Sequence, residues 1–247
     1  MISKKGIMYL WTATGSPQTN DSERGITMKK IGAITVGQSP RVDLIPEIQP
    51  ILGDSVEIIQ AGALDGLSKE EIAKFVPRPG ENVLVSRLTD GTSATFGESY
   101  ILPRLQLCID DLEQQGVSLI LFLCTGEFPA EFRSNVPLIF PDHILKGLIP
   151  AIGVKNLSVI IPTKEQEAQM PGKWKDCCDS LHVTSVSPYG DPLAFFAAEK
   201  EIPADTDLIL LDCIGYTIEM KERIQALTQK PVLLSRTLVA RVIRELV

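Results

Sequence analysis

The sequence predicts an α/β fold of two similar lobes, each with a Rossmann-like or flavodoxin-like parallel sheet, and with a cleft between the lobes. Apolar, β-branched runs alternate with longer amphipathic stretches along the chain. Neighbouring parallel strands need crossover connections, which such helical stretches supply. The phrase LILFLCTGEF at 119–128 returns as LILLDCIGYT at 208–217, which indicates that one α/β lobe has been duplicated.

Eight short apolar runs are predicted as strands because they are rich in β-branched residues and are bounded by turn residues. The first four cover 31–36, 56–61, 82–87 and 119–123, and the second four cover 157–161, 182–187, 208–212 and 232–235. We expect the second set to repeat the first in order.

The stretches between the first strands have the start signals of helices. Helices are predicted over 40–52, 68–76 and 98–116. Pro40 fits the first helical position of the first one, and Ser68 with Glu71 forms the capping-box pattern of the second. Pro46 and Pro103 predict kinks or shifted boundaries, because proline disrupts the interior of a helix.

The division into lobes follows from the repeat. We expect the first lobe to comprise residues 28–150 together with 236–247, and the second lobe to comprise 151–235. Residues 136–153 would cross between the lobes, and the amphipathic C-terminal segment would return to the first. Residues 1–27 have neither a helical nor a strand period, and we expect a start-site artefact, an expression remnant or a disordered tail.

Composition excludes several classes of function. The net charge is -7, from 31 acidic and 24 basic residues without a basic patch, which disfavours nucleic acid as a partner. The longest apolar runs are about nine residues, well short of the roughly 20 of a membrane-spanning helix. Five cysteines in a chain without a secretory signal fit a reducing cytoplasm. The spacings of zinc sites, phosphate loops and dinucleotide motifs do not occur, so no metal or cofactor is expected.

The two repeated cysteines are the candidate catalytic residues. Cys124 and Cys213 follow equivalent strands, at the carboxyl ends where open parallel sheets bind ligands. If the lobes face each other, one thiolate could remove a proton from a carbon next to a carboxylate while the other thiol returns a proton to the opposite face. This predicts cofactor-independent racemisation or isomerisation of a small carboxylate, with the order of the acid and base roles open.

Two alternatives remain at this stage. Cys213 alone could act as a nucleophile, as in a cysteine-dependent lyase. The protein could instead be a non-catalytic binding protein for a carboxylate or aromatic metabolite, in which the thiols only line the cleft. A cysteine at the end of an apolar strand is often simply part of the core. Homo-oligomerisation is left open.

Polar residues at the same strand ends are predicted to bind the carboxylate through turn amides, hydroxyl groups and one guanidinium group. These candidates are Gln38, Ser39, Arg41, Asp90, Thr125, Gly126, Thr163, Gly215 and Tyr216. Arg41 could bind a carboxylate bidentately, or it could pair only with Asp43 or solvent. Asp90 could likewise do no more than form an Asx turn before Gly91, for which a positive φ is expected.

From Met28 to Val247 the chain resembles the AroM family. The resemblance is carried by ITVGQSPR, LTDGT, FLCTGEF, IIPTKEQ, LILLDCIGY and PVLLSRTLVARVIREL. AroM proteins are in turn similar to the aspartate/glutamate racemase superfamily, which includes hydantoin racemases, arylmalonate decarboxylases and maleate isomerases.

That similarity implies two similar α/β lobes with one cysteine from each, and it places Cys124 and Cys213 in the superfamily's cysteine positions. The chain departs from the superfamily pattern at Gly126 and Ile214, which stand where Thr-type or polar residues are expected. It also has Gly-Gln-Ser at 37–39 in place of the opening Asp-Ser-Gly of glutamate racemases. The resemblance therefore implies a fold and a cysteine pair but no particular substrate.

Overall fold

The computed structural model describes residues 28–128 and 131–247, so the expectation for residues 1–27 lies outside it. Its strands are β1 (Lys29–Thr35), β2 (Val56–Gly62), β3 (Val83–Arg87), β4 (Ser93–Gly97), β5 (Ile120–Phe122), β6 (Leu138–Ile139), β7 (Asn156–Ile161), β8 (Ser180–Ser185), β9 (Leu208–Leu211) and β10 (Val232–Leu234). Its helices are α1 (Ile45–Leu52), α2 (Lys69–Ile72), α3 (Glu98–Gln114), α4 (Pro141–Ala151), α5 (Met170–Trp174), α6 (Pro192–Ala197), α7 (Ile218–Thr228) and α8 (Ser235–Leu246). None of the described helices is long and apolar enough to cross a lipid bilayer.

Two four-stranded parallel sheets form the framework. The first has the order β2-β1-β5-β6, and the second has the order β8-β7-β9-β10. All of their strand pairs are parallel. The strands of the second sheet thus repeat those of the first in space, which confirms the predicted α/β fold with a duplicated parallel sheet.

The prediction that residues 82–87 form the third strand of the first parallel sheet was wrong. β3 pairs antiparallel with β4 in a separate hairpin, and the two-residue strand β6 occupies the sheet position instead. Burial alternates along β3, as expected for a strand with one face on the core. Gly91 in the connecting turn has a φ of 88°, which confirms the positive φ expected there.

Two predicted helices begin or end elsewhere. The first begins at Ile45 rather than at Pro40, with Pro46 in its opening turn, so Pro46 marks a shifted boundary rather than a kink. The second contains only Lys69–Ile72, although its predicted capping box between Ser68 and Glu71 is present.

Side chains alternate between the two faces of each sheet, as β geometry requires. In the first sheet, one face packs against α3 and the other packs against α1 and α8. In the second sheet, one face packs against α4 and α5, and the other packs against α6 and α7.

The helices that follow the last strand of each sheet are exchanged. α4 follows the first sheet yet packs on the second, through Leu145 and Ile149. α8 follows the second sheet yet packs on the first, through Val239 and Ile243. This exchange ties the two halves together, while the lobe boundaries at residues 150 and 235 stay a prediction.

Candidate functional site

Two cysteine loops face one cavity between the sheets. Cys124 lies two residues after β5, and Cys213 lies two residues after β9. Both line a space of about 330 Å³, part of which is open to solvent. Only about 20 Å³ of it is available to the centre of a water molecule, which is room for about one water and far below the roughly 300–1,000 Å³ of small-ligand pockets. Its lining residues are Arg41, Val85, Ser86, Leu123, Cys124, Thr125, Gly126, Pro162, Gln166, Tyr189, Asp212, Cys213 and Ile214.

The two sulfur atoms have equivalent hydrogen bonds. The backbone N–H of Gly126 donates to Sγ of Cys124 at 3.3 Å, and that of Gly215 donates to Sγ of Cys213 at 3.4 Å. The backbone N–H groups of Gly126 and Gly215 thus each face a cysteine sulfur. The duplication therefore extends from the sheets to the sulfur environments.

The residue between each cysteine and glycine leaves its own backbone N–H free. Neither the N–H of Thr125 nor that of Ile214 has an acceptor among the described residues. Both residues are buried. Buried N–H groups are normally hydrogen-bonded, so this pair can accommodate the oxygen atoms of an anionic ligand.

Burial dominates the electrostatics of both thiols. Cys213 is 7% exposed, and Cys124 is partly exposed to the cavity. Burial raises the pKa of Cys124 to about 12, although the Gly126 N–H acts to lower it. Burial also raises the pKa of Cys213, against the lowering effects of the Gly215 N–H and of Arg41. Burial therefore favours the protonated form of both thiols at neutral pH.

A buried ion pair joins the two cysteine loops. Nζ of Lys173 lies 2.7 Å from Oδ2 of Asp212, and both side chains are at most 4% exposed. The same Nζ donates to the carbonyl oxygen of Thr125 at 2.7 Å. The Thr125 hydroxyl in turn donates to the carbonyl oxygen of Asp212 at 3.1 Å. Thr125 thus lines the cavity and also links the two loops.

Arg41 reaches the cavity, but its hydrogen-bonding groups are already occupied. Its Nε and Nη2 donate to the two carboxylate oxygens of Asp43 at 2.9 and 2.8 Å. Its remaining N–H groups point to Thr35, Ser86 and Tyr189. Burial alone would lower the pKa of Arg41, yet the bonds to Asp43 raise it above its ordinary value. Arg41 therefore supplies positive potential, and its planar fork is held by Asp43.

Tyr189 and Arg236 are site residues that the sequence did not predict. The Tyr189 hydroxyl accepts the Arg41 bond at 3.2 Å and lines the cavity. Arg236, in the first turn of α8, is 1% exposed and donates to the carbonyl oxygens of Ile214 and Gly215 at 2.9 and 3.0 Å. It also forms an ion pair with Glu47 at 2.7 Å.

The other predicted binding residues lie away from the cavity lining. Gln38 links two loops by accepting from Thr89, and Ser39 donates to the carboxylate of Asp65. Asp90 is exposed, and its carboxylate accepts from the backbone N–H of Thr92 in an Asx turn, the alternative to ligand binding for this residue.

Thr163 precedes a 3₁₀ turn and donates to Glu165. Tyr216 is fully buried in the core between the second sheet and helices α6 and α7, and its hydroxyl donates to the carbonyl oxygen of Val186.

The fold belongs to a class of two-lobed α/β structures that includes those of known racemases and isomerases. The maleate isomerase Iso from Pseudomonas putida S16 is similar in fold, with a TM-score of 0.59 at 14% identity over 88% of this chain and 92% of that one. The aspartate racemase of Picrophilus torridus has a TM-score of 0.55 at 14% identity, over 88% and 93% of the two chains. The glutamate racemase of Thermus thermophilus has a TM-score of 0.56 at 16% identity, over 89% and 80%.

The family is narrower than this class. The model of the family described as AroM protein matches residues 31–247, and the chain therefore belongs to the AroM family. No curated protein matches the chain by sequence. The family predicted from the sequence is thereby confirmed.

Proposed function

We propose that the protein is a cofactor-independent racemase or isomerase of a small carboxylate, with Cys124 and Cys213 as its acid and base. One observation carries the proposal: two cysteine loops of equivalent geometry line a single small cavity. The known racemases and isomerases described above share the fold, which supports the same reaction class.

The carboxylate would bind at the free N–H groups of Thr125 and Ile214, with positive potential from Arg41. One cysteine, as thiolate, takes the proton from the carbon next to the carboxylate, and the bond electrons pass into the carboxylate as an enolate. The other cysteine gives its thiol proton to the opposite face of the same carbon. The two sulfurs have then exchanged protonation states, and no oxidant or reductant is needed.

A second candidate function is binding without catalysis. It is favoured by the raised pKa of both thiols, because a neutral thiol is a poor base. It is also favoured by the occupation of Arg41 by Asp43. In that case the cavity would hold a small carboxylate or aromatic metabolite, and the cysteines would form only its wall.

The experiment is an exchange assay in deuterated water with a panel of small amino, aryl and dicarboxylic acids. NMR would follow the appearance of solvent deuterium on carbon with the wild-type protein, Cys124→Ser and Cys213→Ser. Cys108→Ser is the matched control, since Cys108 is partly buried on α3 and does not line the cavity.

Exchange that is lost in both site variants and kept in the control supports two-cysteine catalysis. Loss only in Cys213→Ser, with a mass adduct on Cys213 in the wild-type protein, would replace it by single-nucleophile chemistry. A ligand that binds to wild-type and both variants alike, without exchange, would establish the binding protein instead.

A further inference from the structure

Each cysteine sulfur lies at one end of a peptide group whose other end is held by a buried cation. The peptide between Thr125 and Gly126 presents its N–H to Sγ of Cys124 and its carbonyl oxygen to Nζ of Lys173. The peptide between Ile214 and Gly215 presents its N–H to Sγ of Cys213 and its carbonyl oxygen to Nε of Arg236. In a trans peptide the two groups point in opposite directions, so cation, peptide and sulfur lie in series.

The cations themselves are not products of the duplication. Lys173 lies in α5, which follows β7, whereas Arg236 lies in the first turn of α8, which follows β10. These positions are not equivalent in the two repeats. Two unrelated elements therefore deliver a positive charge to the same place behind each cysteine.

The physical consequence concerns the strength of the N–H bond to sulfur. A cation that hydrogen-bonds to a carbonyl polarises the peptide and strengthens the hydrogen bond that its N–H donates. The bond gains most when the acceptor is a thiolate, because hydrogen bonding to a charged form favours that form. Both cations are almost fully buried, at 6% exposure for Lys173 and 1% for Arg236, so solvent screens them little.

We propose that Lys173 and Arg236 are positioning residues that make Cys124 and Cys213 more reactive through the intervening peptide groups. This inference rests on the proposed function only in assuming that reactive thiolates are what the site requires. Asp212 and Glu47 hold the two cations in place, since each forms an ion pair with one of them.

The test is the alkylation rate of each cysteine by iodoacetamide at mildly alkaline pH, followed on separate peptides by mass spectrometry. In this range the rate is proportional to the small thiolate fraction. Lys173→Met is expected to slow Cys124 about tenfold relative to Cys213 in the same molecule, the size of a one-unit pKa shift. Arg236→Met is expected to slow Cys213 relative to Cys124, and Arg236→Lys, which keeps the charge, should restore most of that rate.

Removing one member of a buried ion pair can prevent folding. Two double variants remove both charges of an ion pair at nearly constant shape: Lys173→Met with Asp212→Asn, and Arg236→Met with Glu47→Gln. The single variants Asp212→Asn and Glu47→Gln show how much of the change in alkylation rate comes from losing the carboxylate. The control is Lys230→Met, because Lys230 also donates to a backbone carbonyl, that of Ala204, but is only half-buried and does not line the cavity.

Selective slowing of the matching cysteine is the supporting result. Equal changes at both cysteines, or unchanged rates in a folded paired variant, would overturn the proposal, since a merely structural role predicts no selectivity. The assay needs no substrate, so its failure is separate from failure of the proposed function. If the protein catalyses deuterium exchange but the variants change alkylation equally at both cysteines, the effect of the cations through the peptide groups is rejected and the proposed function stands.

Discussion

Gly215 is the position where a single methyl group tests the geometry of the cavity wall. A Cβ added there would lie 2.4 Å from Oη and 2.7 Å from Cζ of Tyr189, both far inside van der Waals contact. The φ of Gly215 is outside the left-handed region, so the backbone itself tolerates alanine. The effect of Gly215→Ala must therefore come mainly from displacing the Tyr189 ring and its bond with Arg41, with a smaller contribution from Pro188, whose Cγ would lie 3.0 Å from the new Cβ.

Overpacking of this kind costs about 1–3 kcal/mol. The loss of glycine flexibility in the unfolded chain offsets about 0.4–1 kcal/mol of it. We therefore expect Gly215→Ala to lower the free energy of unfolding by about 1–2 kcal/mol, measured by urea denaturation. In a Tyr189→Ala background the same change should cost much less, because the clashing ring is gone and only the 3.0 Å contact with Pro188 remains.

Gly147→Ala is the matched control. Gly147 lies exposed inside α4 with no atom within 4 Å of an added Cβ, so alanine should stabilise the helix by roughly 0.4–1 kcal/mol. If Gly215→Ala is as stable as Gly147→Ala, or if removing the Tyr189 ring brings no relief, Tyr189 does not cover the Cys213 loop as described.

Two further predictions concern ionisation. Alkylation of Cys124 in the ligand-free protein should rise about tenfold per pH unit up to about pH 10, because its pKa is about 12; a plateau near neutral pH would contradict the effect of burial. Asp43→Asn should cost about 3–5 kcal/mol in urea denaturation, because Arg41 would be left buried and unpaired. Burial alone would raise the pKa of Asp43, yet Arg41 holds it below its ordinary value of 3.8. The ionised carboxylate therefore makes its full contribution to the free energy of unfolding above pH 3.8, and that contribution is lost as the pH falls through the lower pKa of the folded protein. The free energy of unfolding of Asp43→Asn should therefore not show this loss at acidic pH. An equal decline with falling pH in the wild-type protein and in Asp43→Asn would show that the loss does not come from Asp43.

Most of the fold could be predicted because its long strands have strong local patterns. β1, β2, β7 and β9 are apolar and β-branched, and they appear at the predicted places within a few residues. β6 could not be recognised, since two residues are too short to have a period and they lie next to the start of α4. Residues 82–87 were assigned to the sheet in its place because a hairpin strand with one buried face is also apolar in part.

The site could be predicted only where the chain repeats itself. The doubled cysteine phrase located both cysteine loops. Lys173 reaches the Cys124 loop, and Tyr189 reaches the cavity, from segments distant in sequence, and no local motif marks either. Arg236 did carry a signal: a cation in the first turn of a helix opposes the helix dipole, so it needs another reason to be there. That reason is the set of carbonyl oxygens of the Cys213 loop.

The repeat is broken in one place that bears on the roles of the cysteines. PLIFPDHIL at 137–145 and PVLLSRTLV at 231–239 begin the exchanged helices α4 and α8, and they align Asp142 with Arg236. Asp142 is 2% exposed, one of its oxygens has no hydrogen-bond partner among the described residues, and burial raises its pKa.

Burial raises the pKa of both thiols most strongly. At Cys124 the charge of Asp142 adds to this rise while Lys173 opposes it, and at Cys213 Arg41 and Arg236 oppose the rise while Asp212 adds to it. Two sulfurs with the same backbone geometry thus have neighbours of opposite charge at equivalent positions. Because a carboxylate disfavours a thiolate and a guanidinium favours one, Cys213 is expected to be the more acidic thiol and hence the base. At any given pH, alkylation of the Cys213 peptide should then be faster than alkylation of the Cys124 peptide. The substitution Asp142→Asn should narrow this difference in rate by speeding the alkylation of Cys124 alone.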